Sequence, residues 1–264
     1  MRILYVGDIM GQPGIDIVAE LLPKLRHDEQ IDLVIAQAEN VSGGKSMTPA
    51  DMQRLQQVGV DFFSGGNHTP KRPELRALLE DDNQPVIGPA NMHDSPGKGW
   101  KYIKSPKGQV LIISILGETF GNNRPIFDNP LKAVDTILKT NEGRARAATI
   151  VNFHGDYSSE KVIFGYYLDG RVTAVIGDHW HTPTADAMVL PKGTAHQTDV
   201  GMCGILHSSL GVSLDAVIPR WRDSVVNRNV LETDGPRQFN ASLITCNSSG
   251  LADEIRSIQV IEKD

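Results

Sequence analysis

The chain has 264 residues, of which 40% are hydrophobic, and it can bury a full core without disulfide or metal staples. Its formal net charge of −6 argues against a broad basic groove for duplex DNA or RNA. Cys203 and Cys246 lie far apart in the sequence, which suggests neither a thiolate zinc site nor a disulfide framework.

Short strand-like runs alternate with helical patterns through the first two thirds of the chain. One helical pattern has Thr48 as its N-cap, Pro49 at the first helical position and Gly59 after its end. In chain order the predicted strands are RILYVGD, DLVIAQAEN, DFFSGG, WKYIKS, QVLIISILGE, ATIVNFHGD and VTAVIGDHWH, and the predicted helices are 14–27, TPADMQRLQQVG, PELRALLEDD, 130–142, SSEKVIFGYYLDG and 214–222.

This alternation predicts an α/β protein with a largely parallel sheet core. After Pro191 the predicted strands are shorter and turns are more frequent. No repeat or linker interrupts the chain, so we expect one domain over residues 1–264. In such proteins ligands gather beyond the carboxyl ends of the strands.

The apolar runs predict neither a secretory signal nor a membrane span. The run before Gly7 is too short for the core of a signal sequence. The longest later run, residues 110–117, is far below the roughly 20 residues that cross a bilayer. We therefore expect a cytoplasmic protein with no membrane partner.

Side chains that can bind metals recur where the predicted strands end. Each of them alone has an ordinary explanation, because Asp and Asn often serve turns and a lone His is often a satisfied structural residue. Five strand ends that meet at one edge together predict one site. They contribute Asp8, then Glu39 and Asn40, then Asn67 and His68, then His154, and finally His179 and His181.

The last two histidines flank Trp180 behind an apolar run. In an extended segment residues i and i+2 point the same way, so we expect the rings of His179 and His181 to project together. Two surface histidines beside a core tryptophan remain the alternative.

The donor types favour two transition-metal ions. Carboxylate oxygens and imidazole nitrogens suit iron, manganese or zinc rather than calcium or magnesium alone. The donors outnumber the ligands that one tetrahedral zinc needs. Glu39 has two oxygens that can bridge ions about 3.5 to 4 Å apart, a spacing that suits phosphoester hydrolysis.

The glycine-rich stretch GDIMGQPG suggests a phosphate-binding loop at first sight. It lacks both the G-x-G-x-x-G spacing and the Walker lysine-serine pair, which argues against a Rossmann or P-loop site. We expect its glycines to let the backbone turn tightly beside Asp8.

Several motifs together resemble the YmdB-type branch of the calcineurin-like metallophosphoesterases. The resemblance runs in order from Met1 to about Asp223. The GNH motif is shared by all metallophosphoesterases, whereas the N-terminal GD-x-x-G and the TDVGM stretch are specific to this branch. The segments that carry it are MRILYVGDIMGQPG, AENVSGGKSMT, GGNHT, FHGDYSSEK and VLPKGTAHQTDVGMCG.

The resemblance implies a four-layer αββα sandwich, two metal ions and phosphodiesterase activity on cyclic nucleotides such as 2′,3′- and 3′,5′-cyclic AMP. It implies that Asn40 is a ligand or a phosphate contact and that His68 is the catalytic histidine. The implied ligands of the two ions are Asp8, Glu39, Asn67, His154, His179 and His181.

The chain departs from the family pattern at several positions, although the ligand types survive. Met10 replaces the histidine of the Asp-x-His signature of wider relatives, so the resemblance implies that Glu39 completes the first metal site. The other departures affect the substrate pocket. They are Pro70 and Lys71 where Trp and Asp are expected, Gly155 and Asp156 where Ala and Glu are common, Asp178 and Trp180 where two threonines are expected, and His196 where Tyr is common.

The expected mechanism is attack on phosphorus by a hydroxide shared by the two ions, with His68 protonating the departing ribose oxygen. An extra metal ligand or a hydrogen-bonding support remains the alternative role for His68, and Asp199 is a candidate for orienting a ligand histidine. Two other functions stay open, a metal- and nucleotide-binding signalling protein with little turnover and a phosphomonoesterase. A homo-oligomer also stays open.

Overall fold

The computed structural model describes residues 1–119 and 126–263, and two β-sheets form its centre. In chain order the strands are β1 (Arg2–Val6), β2 (Asp8–Ile9), β3 (Leu33–Gln37), β4 (Phe62–Ser64), β5 (Trp100–Ser105), β6 (Gly108–Leu116), β7 (Ala148–His154), β8 (Ala174–Asp178), β9 (Met188–Val189), β10 (Ala195–Gln197), β11 (Met202–Ile205), β12 (Arg237–Cys246) and β13 (Ala252–Ile261). The helices are α1 (Gly11–Asp28), α2 (Pro49–Gln57), α3 (Pro73–Glu80), α4 (Pro130–Thr140), α5 (Ser158–Tyr167) and α6 (Leu214–Asp223), with a short 3₁₀ turn at Thr69–Lys71.

Each sheet combines a run of parallel strands with antiparallel neighbours. The first sheet has the order β2-β11-β12-β1-β3-β4, with β13 paired to β12. Strands β1, β3 and β4 run parallel, and β12 is antiparallel to β1. The second sheet has the order β5-β6-β7-β8-β10-β9, in which β6, β7, β8 and β10 are parallel.

The two sheets pack face to face because their strands are apolar on both sides. Ile3 and Tyr5 of β1 share one core with Ile112 and Ile150 of the second sheet. The alternate residue Leu4 faces a second core, formed with α1, α2 and α3. Helices α4 and α5 cover the outer face of the second sheet. These layers confirm the predicted αββα sandwich.

Local signals placed several elements correctly. The side chain of Thr48 accepts a hydrogen bond from the backbone N–H of Asp51 at 3.2 Å, which confirms it as the N-cap of α2. Helix α1 begins at Gly11, three residues before the predicted start. None of the described helices is both long and apolar enough to cross a bilayer.

One prediction about a strand end is wrong. Strand β8 stops at Asp178, so the segment that carries His179 and His181 is not extended. Both histidines have a positive φ, 99° and 60° respectively, and the i, i+2 geometry of a strand does not apply to them.

Candidate metal centre

The loops that follow β3, β4, β7 and β8 meet at one edge of the two sheets. Glu39 Oε1 lies 3.2 Å from His154 Nε2, although the first follows a strand of the first sheet and the second ends a strand of the other. The structure brings the sequence-predicted residues Asp8, Glu39, Asn40, Asn67, His68, His154, His179 and His181 together at this edge.

One group of ligand atoms belongs to Glu39, His154 and His179. Each of these residues offers a ligand atom within 4.8 Å of those of the others. The rings of His154 and His179 are arranged edge to face, with their centroids 4.5 Å apart. Asn67 Oδ1 lies 3.0 Å from His154 Nε2 and adds an oxygen to the group. Three donors therefore lie close enough together to hold one cation, and the oxygen of Asn67 is near one of them.

The ring of His154 is held so that its Nε2 faces this point. Its Nδ1–H donates to the buried carboxylate of Asp178 at 2.6 Å. Gly66 passes close to the ring, because a Cβ there would lie 2.3 Å from His154 Cδ2. A carboxylate that accepts from the far nitrogen is the usual support of a metal-binding histidine.

A second group lies beside the first and contains Asp8 and His181. The backbone carbonyl of Leu210 accepts a hydrogen bond from His181 Nδ1 at 3.0 Å, which leaves Nε2 with the lone pair. This Nε2 lies 3.7 Å from Asp8 Oδ1. The backbone N–H of His179 donates to Asp8 Oδ2 at 3.3 Å and joins the two groups.

Asn40 bridges the second group to His68. Its amide Nδ2 lies 3.2 Å from both Asp8 Oδ1 and His181 Nε2, while its Oδ1 accepts from His68 Nδ1 at 3.1 Å. In this orientation the amide nitrogen, and not the ligating oxygen, faces Asp8. Ligation through the oxygen would require the amide to turn over.

His68 is held by its backbone as well as by its ring. Its backbone N–H donates to Glu39 Oε2 at 2.7 Å. Burial lowers the pKa of His68, and the negative charge of Glu39 offsets part of that effect. With Nδ1–H directed to Asn40, the other ring nitrogen, Nε2, is the one that can face a substrate.

Buried carboxylates dominate the electrostatics of the centre. Burial raises the pKa of Asp8 well above its usual value, and the Asp178 and Glu39 carboxylates raise it further. Burial disfavours a charged His154, yet Glu39 and Asp178 raise its pKa well above the normal histidine value. Burial also opposes ionisation of Glu39, but His154 holds the pKa of this carboxyl below its ordinary range.

These residues fit metal ions. A proton on His154 Nε2 offsets part of the buried negative charge, and a cation at the same point would replace it and relieve the repulsion at Asp8. Hard carboxylate oxygens combined with oriented imidazole nitrogens match iron, manganese and zinc.

The polar residues behind His154 were not predicted to belong to the site. Asp178 Oδ2 accepts hydrogen bonds from Gln37 Nε2 at 2.9 Å, from Tyr5 Oη at 3.2 Å and from Asn152 Nδ2. Asp178 lies opposite His154 in the register of β7 and β8. Their signal in the sequence is that they are polar residues inside otherwise apolar strands.

Asp199 has a different role from the one predicted. Its Oδ2 accepts from the backbone N–H of Trp180 at 2.9 Å and from Lys161 Nζ at 2.8 Å. It therefore supports the peptide between the two histidines and not a histidine ring.

His179 also contacts Asp156, one of the residues at which the chain departs from the family pattern. Its Nε2 lies 3.1 Å from Asp156 Oδ1, at a position where the resemblance leads us to expect Glu. With Nε2–H donating to this carboxylate, the lone pair of His179 lies on Nδ1.

Comparison with known proteins places this chain in a family. The family model described as YmdB-like protein matches residues 4–258. The chain is 38% identical over 227 residues to the 2′,3′-cyclic-nucleotide 2′-phosphodiesterase of Bacillus subtilis (strain 168), a match that covers 85% of this chain and 84% of that protein.

Two solved structures have the same fold over the whole chain. A hypothetical protein from Thermus thermophilus has a TM-score of 0.89 at 34% identity, and the match covers 100% of both chains. A novel phosphatase from Mycoplasma pneumoniae has a TM-score of 0.92 at 27% identity, covering 100% of this chain and 94% of the other. The resemblance seen in the sequence motifs is confirmed, and the chain belongs to the YmdB-like protein family.

Proposed function

We propose that this protein is a dinuclear metal-dependent phosphodiesterase that hydrolyses small phosphodiesters, with cyclic nucleotides of the 2′,3′- or 3′,5′-cyclic AMP class as its substrates. One observation carries the proposal: two imidazoles, those of His154 and His181, turn Nε2 toward separate buried carboxylates, Glu39 and Asp8. The phosphodiesterase activity of the Bacillus subtilis relative supports it.

The two groups of donors would hold one ion each. Glu39, Asn67, His154 and His179 would bind the first, and Asp8 with His181 would bind the second, with Asn40 as a ligand or phosphate contact. Glu39 would contribute to both sites. We propose iron or manganese, with zinc as the alternative. Such a pair of ions supplies an activated water and neutralises the phosphoryl oxygens.

His68 would act as the general acid for the departing ribose oxygen. Asn40 Oδ1 accepts from its Nδ1 and orients the ring, so a proton on Nε2 can be directed at the substrate. Because burial lowers the pKa of His68, its protonated form is a stronger acid than an exposed histidine, although less of it is present at neutral pH.

The His68→Ala substitution tests this role cleanly. The bond from residue 68 to Glu39 uses the backbone N–H, so alanine preserves it. We expect turnover to fall about 10²- to 10⁴-fold, the usual contribution of a general acid, while manganese binding stays intact. Steady-state kinetics and manganese titration measure the two effects, and unchanged turnover with metal bound would remove His68 from the acid role.

The activity itself is tested on protein freed of metal by chelation and then resupplied with manganese. We expect it to release p-nitrophenol from bis-p-nitrophenyl phosphate, and a screen of cyclic nucleotides then identifies the substrate. His179→Ala should abolish the reaction. The matched control is His27→Ala, because the His27 side chain is 89% exposed and lies outside the site.

The two alternative functions predict different results in these assays. Release no greater than that of His179→Ala would favour a metal- and nucleotide-binding protein with little turnover. Cleavage of p-nitrophenyl phosphate much faster than that of the diester would favour a phosphomonoesterase, an activity closer to the description of the Mycoplasma pneumoniae protein as a phosphatase.

A further inference from the structure

A buried lysine lies directly behind the segment that carries His179 and His181. Lys161 belongs to α5 and is 1% exposed. Its Nζ donates to Asp199 Oδ2 at 2.8 Å and to the backbone carbonyl of Asp178 at 2.6 Å. A buried ion pair of this kind gives little net stability compared with apolar residues of the same size, so its presence calls for a local explanation.

The segment in front of Lys161 has an uncommon backbone. The φ angles of His179 and His181 lie at 99° and 60°, in the region that L-residues with a large side chain rarely adopt. Such conformations persist only when the surroundings hold them, and they concentrate at functional sites. The rings of His179 and His181 belong to different groups of donors. The backbone conformation of this segment therefore determines the position of one ring nitrogen in each group.

Trp180 lies between the histidines and is held on three sides. Lys161 Nζ lies over its ring, 4.1 Å from the centroid. Its backbone N–H donates to Asp199 Oδ2 at 2.9 Å, and its indole Nε1–H donates to the backbone carbonyl of Asp156 at 3.0 Å. The lysine therefore acts on Trp180 both directly, through the ring face, and indirectly, through the carboxylate that they share.

We propose that Lys161 is a positioning residue that, through Asp199 and the ring of Trp180, holds the His179–His181 segment in the left-handed conformation that directs both rings into the metal centre. The role rests on the proposed function, because it assumes that these histidines are ligands. Lys161 touches neither substrate nor metal in this role.

The test removes the lysine without leaving a buried charge alone. In Lys161→Met/Asp199→Asn both charges of the pair are gone, so the cost of an unpaired carboxylate is avoided. The matched control is Lys101→Met. Lys101 is also buried, and its Nζ donates to the backbone carbonyls of Leu78, Asp81 and Gln84 away from the centre.

Two measurements report on the segment. Manganese titration of the chelated proteins should show affinity weakened about 10- to 100-fold in the double variant, the usual effect of losing a support behind metal ligands, and unchanged in Lys101→Met. The chain has three tryptophans. In a Trp100→Phe/Trp221→Phe background Trp180 is therefore the sole tryptophan, and its emission should shift to the red when Lys161 is replaced.

Every outcome decides the proposal. A folded double variant that keeps both the Trp180 emission and the manganese affinity of the Lys101→Met protein overturns it. Global unfolding of the double variant alone, seen by circular dichroism, assigns Lys161 to overall stability and also overturns it. If the unsubstituted protein takes up no manganese, the proposed function fails, while the Trp180 emission still tests whether Lys161 holds the segment.

Discussion

At the scale of single residues, the centre depends on acceptors that lie behind the proposed ligands. Asp178 is fully buried and accepts from His154 Nδ1 with one oxygen and from three polar side chains with the other. This arrangement requires a carboxylate, because every neighbour donates. The nitrogen that His154 turns toward Glu39 is therefore decided by a residue on the far side of the ring.

Asp178→Asn tests this dependence. If the amide oxygen stays with His154, the amide nitrogen must face the donors of Gln37 and Asn152, and if the amide turns over, His154 loses its acceptor. We expect manganese affinity to weaken about 10- to 100-fold. Isothermal titration of the chelated protein measures it.

The control for this substitution is Asp169→Asn. Asp169 is also buried, and it accepts from the backbone N–H groups of Lys192 and Thr194 away from the centre. The Asp169→Asn protein should be less stable than the unsubstituted protein but should keep its manganese affinity. Equal losses of affinity in the two variants would show that Asp178 acts only through general stability.

At the scale of elements, the position of Asp8 depends on how closely α1 approaches the first sheet. Asp8 lies in β2, which pairs in parallel with β11. Only one residue, Met10, separates β2 from α1. Gly14 allows the close approach, because a Cβ there would lie 2.4 Å from the carbonyl oxygen of Cys203 in β11. A glycine in the following helix thus permits the packing that positions β2, the strand that carries Asp8.

Gly14→Ala tests how closely α1 approaches β11. Whether it raises or lowers the free energy of unfolding distinguishes a tight contact from an open one. In an exposed helix the change from glycine to alanine stabilises by about 1 kcal/mol. Here we expect a loss of about 1 to 3 kcal/mol, because backbone must move to admit the methyl group. Urea unfolding measures the loss.

The control on the same helix is Lys24→Ala, whose side chain is 81% exposed. Its free energy of unfolding should change by no more than about 0.5 kcal/mol, as at most surface positions. A Gly14→Ala protein that is more stable than the unsubstituted one would disprove the tight contact between α1 and β11.

At the scale of the whole molecule, the two sheets share one apolar core, and the centre lies where their edges meet. Ile3 and Tyr5 from the first sheet pack in the same cluster as Ile112 and Ile150 from the second. The proposed ligands from the two sheets reach each other only while this core holds the sheets together. The single domain over residues 1–264 remains a prediction.

Ile112→Ala tests that prediction. Removing a fully buried side chain should lower the free energy of unfolding by about 2 to 5 kcal/mol. If the molecule unfolds as one unit, peptides from β1 and β3 should lose protection against hydrogen exchange at the same lower urea concentration as peptides from β6 and β7. First-sheet peptides that keep their original midpoint would indicate two domains.

The sequence by itself predicted most elements before Pro191 and the edge at which the site lies, whereas the ten-residue strands β12 and β13 lie where only shorter strands were expected. Hydrophobic patterning predicted the strands, Thr48 marked the start of α2, and the polar residues after the strands predicted which side chains meet. These features are local, because they depend on the periodicity and capping of neighbouring residues.

Only the tertiary structure decided how the side chains face each other. The nitrogen that His154 presents depends on Asp178 in the neighbouring strand, and the nitrogen that His181 presents depends on the carbonyl of Leu210. The left-handed segment of His179 and His181 contacts residues that are distant in the chain, because the backbone N–H of Trp180 and Nζ of Lys161 both donate to Asp199. Tautomer, strained backbone and buried charge are set by partners far away in the chain, which sequence periodicity does not encode.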